Sequence, residues 1–176
     1  MKPFRLAPAL FFLASAAFAQ STAETTGVNS TLGIPPKTED FVKEVSMSDM
    51  FEIESSKVAL ERGSATIKAF AQQMIDAHQK TTADLKALLD SGKVKAQPAS
   101  AMSEDQQESL DELKKLSGAE FDSAYQDDQE DAHEDAVDVF KRYAEEGDNP
   151  DLKAWAAKTV PDLEHHLKMA EDLEGK

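Results

Sequence analysis

The stretch from Ser64 to Ser91, SATIKAFAQQMIDAHQKTTADLKALLDS, constrains this chain more than any other. At 3.6 residues per turn, Ile67, Phe70, Ala71, Met74, Thr81, Leu85, Leu88 and Leu89 fall on a single helical stripe. His78 lies near the middle of that stripe, both around the helix and along it. A neutral imidazole placed in a core needs a hydrogen-bond partner or a metal, because an unpaired polar group there costs roughly 1–3 kcal/mol. The stretch therefore predicts a long helix packed on one face, with a polar group at the centre of that face.

The flanking sequence supplies the packing partners. A preceding helix is expected from Thr38 to Arg62, burying Phe41, Val45, Phe51, Val58 and Ala59. Gly63 stops it and Ser64 caps the next, so the two form a tight antiparallel hairpin. After Gly92 the period is lost until Ser103 and Gln106, a capping-box pattern that opens a short helix ending at Gly118. A connection of this length can carry the chain from one end of a bundle to the other. A further long helix runs from Ala119 to Glu146, burying Phe121, Tyr125, Ala132, Ala136, Phe140 and Tyr143. Gly147 ends it, Asn149 caps the last helix and Pro150 takes its first position, where the missing N–H is harmless. That helix buries Leu152, Trp155, Ala156, Leu163, Leu167, Ala170 and Leu173, and Pro161 is expected to bend it. No alternating run suggests a strand. The fold class is all-α.

The N-terminal end reads differently. Lys2 and Arg5, the apolar run Leu6 to Ala16 and the small-x-small Ala17-Phe18-Ala19 form a secretory signal over residues 1–19, too short for a membrane anchor. Residues 20–37 carry turn formers and read as a mobile tether, followed by one domain over residues 38–176. Export to a periplasm is the expected localisation. The chain has no cysteine, so neither a disulfide nor a lipoprotein attachment contributes. Loss of Lys2 and Arg5 would move the formal charge from −15 to −17. Such acidity repels phosphate backbones and anionic lipid, which excludes nucleic acid and electrostatic membrane docking as partners. Divalent cations and basic proteins suit it better.

Four ionisable side chains fall on apolar stripes: Glu52, His78, His133 and His166, with Asp122 beside them at the start of the fourth helix. At about 1.5 Å per residue, the members of each hairpin differ in height by about one turn. They converge in one layer at the waist of the bundle. Two readings follow. Imidazoles and a carboxylate together suit zinc, iron, manganese or copper, with Glu52, His78, His133 and His166 as ligands and Asp122 and Tyr125 behind them. Alternatively, each imidazole bonds a carboxylate, tyrosine or backbone carbonyl in a buried polar network. His165 and Asp76 point to solvent, and the run DDQEDAHED spreads its carboxylates over an outward arc rather than a calcium loop. There is no nucleophilic cysteine, phosphate loop or serine elbow, and so no catalytic residue is assigned.

The order FEIESSKVAL, FAQQMIDAH, LSGAEFDSAY, the fourth-helix histidine and AAKTVPDLEHHLKMA resembles the bacterial family catalogued as domain of unknown function four-one-four-two, often labelled exported or outer-membrane protein. The resemblance covers residues 38 to 173. It implies a ferritin-like four-helix bundle with a short extra helix in the long crossover. The matching positions are Glu52, His78, Phe121-Asp122, Tyr125, His133 and Thr159-Val160-Pro161 followed by His166, not His165. The acid that the family places just before the second-helix histidine is Ala77 here. A ferritin-type di-iron site needs two Glu-x-x-His pairs. Glu130 leans outward from His133, Asp162-x-x-His165 faces solvent, and Ile75 stands where the second helix should carry an acid. Two roles remain open: a non-catalytic exported bundle that binds a partner in envelope or stress physiology, and a metal-binding or metal-dependent redox protein.

Overall fold

The computed structural model describes residues 28–175, and among these the fold is entirely helical. A short helix α1 (Val28–Leu32) precedes α2 (Thr38–Arg62), α3 (Ala65–Asp90), the short α4 (Glu104–Leu113), α5 (Gly118–Glu146) and α6 (Pro150–Glu171), with a closing 3₁₀ turn at Asp172–Gly175. The secretory signal expected over residues 1–19 lies outside the described residues.

The helix starts follow local chemistry. The Ser64 hydroxyl accepts from the Ile67 N–H, Ser103 and Gln106 complete a reciprocal capping box, and Asn149 accepts from the Leu152 N–H ahead of Pro150. Each satisfies a donor that the first helical turn leaves orphaned. The strongest packing is within two hairpins, α2 with α3 and α5 with α6; α2 against α5 and α3 against α6 join them into a helical bundle. The crossover from α3 to α5 lays α4 against α2 and α5.

Two expectations change. The short helix ends at Leu113 rather than at Gly118, which instead opens α5 with φ +61°, a conformation that favours glycine. Part of the stretch expected as a tether is helical. It lies on α5, where the Ser30 hydroxyl donates to Asp138 and Arg142 Nη1 donates to the Ile34 carbonyl. Helix α6 runs unbroken through Pro161, whose ring is exposed.

Gly63 and Gly147, which follow the ends of their helices, are there for want of space for a Cβ rather than for a left-handed backbone. A Cβ on Gly147 would stand 2.5 Å from the Tyr143 carbonyl and 2.6 Å from its ring. Tyr143 is itself fully buried, stacked on Phe41 at 4.1 Å and hydrogen-bonded to Thr38 at 2.6 Å. It cannot move aside without loosening that corner. Gly147→Ala is therefore expected to destabilise the protein by about 1–3 kcal/mol, measured by urea unfolding.

The core has two apolar halves. One gathers Phe41, Val45, Leu85, Phe140, Tyr143 and Leu163; the other gathers Ala59, Phe70, Met74, Phe121, Tyr125 and Ala170. Between them lies a buried polar layer of Asp49, Glu52, Ser55, His78, Gln129 and His133. The candidate site is this layer.

Candidate metal centre at the bundle waist

Three helices each contribute an imidazole to the layer: His78 from α3, His133 from α5 and His166 from α6. Their ring centroids stand 5.5 Å (His78–His133), 5.9 Å (His78–His166) and 5.5 Å (His133–His166) apart. Each can offer one ring nitrogen such that all three lie within 4.8 Å of one another, close enough to hold a metal ion. Helix α2 supplies Glu52, 1 % exposed, whose Oε2 lies 4.0 Å from His78 Nε2 and whose Oε1 lies 3.9 Å from His133 Nδ1.

The surrounding hydrogen bonds orient the rings. His133 Nδ1 lies 2.8 Å from the Gln129 carbonyl, and since a carbonyl only accepts, Nδ1 carries the proton and Nε2 a bare lone pair. His78 Nδ1 lies 2.9 Å from Asp49 Oδ1, while the Thr82 hydroxyl donates to Asp49 Oδ2 at 2.8 Å. An imidazole held through one nitrogen by a carboxylate or carbonyl, with the other free, is the usual arrangement of a metal-ligating histidine. The free atoms are present in number. Glu52 Oε1 and Oε2, His78 Nε2, His133 Nε2 and His166 Nδ1 are all buried without a hydrogen-bond partner among the described residues.

Burial governs the protonation of the layer. It lowers His78 to about 4, and lowers His133 to about 3 with help from the His78 and His166 charges. His166 falls to about 4 for the same leading reason. The three rings are thus neutral at neutral pH, the form that binds a metal. Burial moves the acids the other way. Glu52 is pushed up to about 8, the nearby Gln129 amide opposing although it makes no hydrogen bond to either oxygen, and the Asp49 and Asp128 charges adding; Asp49 also rises to about 8, with Thr82 opposing.

The positions expected from sequence separate clearly. Glu52, His78, His133 and His166 are brought together, with the three imidazoles forming the tight group and Glu52 alongside. Tyr125 sits one layer away, its hydroxyl 2.7 Å from Ser56, and feels the layer chiefly through burial and the Glu52 charge, which raise its pKa. Asp122 does not belong behind the ligands. Its Oδ1 accepts from the Ser64 N–H at 3.0 Å at the α2–α3 turn. That is eleven residues before His133 on the same helix, or about 16 Å along its axis. The outward placing of His165, Asp76 and Asp162 holds, since all three are exposed; Glu130 is half-buried and accepts from the Gln126 amide at 2.8 Å.

Asp49 is the residue that sequence reasoning missed. The available signal was its spacing, three residues before Glu52 and four after the buried Val45, which puts it on the inward face of α2. A cleft of about 900 Å³ between α2, α3 and the crossover, lined by Met50, Leu85, Leu89, Val94 and Pro98, meets the layer only at Asp49. The chemistry lies inside the bundle, not there.

With this geometry established, comparison with protein families matches residues 23–173 to Domain of unknown function (DUF4142). The chain belongs to the DUF4142 family. The match spans all six helices, so the waist layer is part of the DUF4142 domain itself. Neither curated proteins nor solved structures give a match. Among the described residues, no helix is long and apolar enough to cross a membrane.

Proposed function

We propose that this protein is an exported metal-binding bundle of ferritin-like architecture that holds one transition-metal ion at His78, His133 and His166, with Glu52 as a fourth ligand. The architectural part is supported by four long helices in two hairpins joined by a long crossover. Export rests on the signal-like N-terminal sequence. The observation that carries the metal is the set of five buried, unpartnered donor atoms on Glu52, His78, His133 and His166.

A purely structural polar network would use those atoms. His78 and His133 each make one hydrogen bond and leave the second nitrogen bare, and Glu52 leaves both oxygens bare. Each such group costs roughly 1–3 kcal/mol in a folded interior. Coordination by an ion about 2.0–2.2 Å from each donor removes that cost. Glu52 Oε2 lies 4.0 Å from His78 Nε2, wider than two donors on one tetrahedral ion stand, so the carboxyl closes inward when the ion binds. Nitrogen-rich donors favour zinc, copper or iron over magnesium or calcium, with manganese accommodated through the carboxylate. The Gln129 carbonyl holds His133 in its ligating tautomer, and Asp49, once ionised, accepts the His78 Nδ1–H and does the same for that ring.

The test is metal analysis of the mature protein purified without a histidine tag, after exposure in turn to Zn²⁺, Cu²⁺, Fe²⁺ and Mn²⁺. One ion per chain is expected, with His78→Ala or His133→Ala reducing occupancy below a tenth at matched concentrations. Failure of all four ions to bind stoichiometrically would overturn the reading.

A further inference from the structure

His78 and His133 are buried and His166 is half-buried, so an ion bound for the first two must pass into the protein, and a cleft on one side of the bundle leads towards them. A cleft of about 370 Å³ opens between α2, α5 and the start of α4 and extends inward to His78 and Asp49. Its lining carries five carboxylates, Glu44, Asp49, Asp105, Asp135 and Asp138, against a single guanidinium, Arg142. That cation is engaged by Asp138 Oδ2 at 2.8 Å and by the Ile34 carbonyl. Asp105 and Asp135 are exposed at the mouth, and Asp135 is crowded further by Asp131 and Glu134.

An acidic surface is common, and alone it would indicate nothing. Here it ends on a specific group. His78 lines the cleft, is 3 % exposed, and has a ring nitrogen, Nε2, with no hydrogen-bond partner. The cleft therefore runs from exposed carboxylates to a histidine that keeps one bare ring nitrogen. Negative charge concentrated in a cleft with low-dielectric walls raises the local concentration of cations and their rate of arrival.

We infer that this cleft is the route by which a divalent transition-metal cation reaches the histidine layer, with Asp105 and Asp135 drawing it in and His78 receiving it. The inference rests on the proposed metal site and adds its direction of loading. Asp105 and Asp135 act on the rate of arrival and make no bond to the ion at rest. Their removal slows loading without weakening the final complex.

The experiment follows Co²⁺ uptake by the metal-free mature protein in a stopped-flow instrument, through the visible bands of the bound ion, at low and high salt. In the Asp105→Asn/Asp135→Asn variant the second-order loading rate is expected to fall about fivefold or more at low ionic strength. Its equilibrium affinity is expected to stay within about twofold of the unaltered chain. Salt at about 0.5 M is expected to erase most of the difference, since screening shortens the reach of these charges to a few ångströms. A Glu145→Gln/Glu146→Gln variant removes the same net charge from the exposed far end of α5 and is expected to load at nearly the unaltered rate. Loading by the cleft variant as fast as by this control, with affinity intact, would overturn the route and leave the metal site standing. Absence of Co²⁺ binding by the unaltered chain would overturn the route, and together with failure of the four ions named above it would overturn the site as well.

Discussion

Glu52→Leu is expected to stabilise the metal-free protein by about 1–3 kcal/mol at pH 7 while reducing its affinity for a transition metal at least tenfold. The two effects have one origin. Glu52 is 1 % exposed, sits between two apolar halves of the core, and has neither carboxyl oxygen hydrogen-bonded. Burial pushes its pKa to about 8, so at pH 7 the group is mostly neutral and still carries the desolvation cost of an unsatisfied polar side chain. Leucine has similar bulk and no such cost. Glutamine at the same position retains the cost and is expected to leave metal-free stability nearly unchanged. Urea unfolding in excess chelator measures the first effect, and competition against a chromophoric chelator measures the second. A destabilised Glu52→Leu protein would mean that the carboxyl is satisfied in the empty fold, and the argument for a ligand would fail with it.

Such a trade is what a functional site leaves in a fold, since groups poised for a ligand cannot also be satisfied without it. The surrounding structure compensates through local features that the sequence states openly. Ser64, the Ser103–Gln106 box and Asn149-Pro150 mark helix starts because capping is chemistry between residues two or three apart. The histidines were readable for a related reason. His78, His133 and His166 interrupt apolar stripes of period 3.6, and the helical face alone separates His166 from the exposed His165.

What periodicity does not encode is height and partnership across the bundle. Asp122 shares the inward-leaning face of α5 with His133 yet serves the α2–α3 turn, three helical turns away. Asp49 lies in a run of serines and methionines where a carboxylate reads as solvated. Its role depends on His78 and Thr82, residues 29 and 33 positions distant, and no local pattern announces that. The docking of α1 is equally non-local, because Ser30 and Ile34 meet Asp138 and Arg142 across 108 residues. The four long helices follow from local rules; the site they enclose follows from which faces meet and at what level.

Metal affinity is expected to rise at least tenfold per pH unit between pH 6 and 8, about a hundredfold in all, and then to level off. The slope comes from the acids rather than the imidazoles. Glu52, pushed to about 8, must lose its proton to ligate, and Asp49, also near 8, adds to the slope as the ion draws on an ionised acceptor for the His78 Nδ1–H. The histidines, lowered to about 4, 3 and 4, are already neutral across this range and compete with the ion only in more acid solution. The metal-free fold responds with the opposite sign. A carboxyl whose folded pKa lies above its unfolded value contributes stability that is lost as pH rises through the folded pKa, so the empty protein weakens from pH 6.5 to 8. The histidines, with folded pKa values below the ordinary 6.5, contribute stability that is complete above 6.5 and lost as pH falls towards 4. Binding and metal-free stability should therefore diverge between pH 6.5 and 8, the loaded protein holding level where the empty one loses. Calorimetry in two buffers of different ionisation enthalpy counts the protons: between one and two released per ion at pH 6.5, and about one fewer in Glu52→Gln. An affinity that instead follows a single pKa near 6.5, with no proton attributable to Glu52, would place the ion on solvated imidazoles and outside this layer.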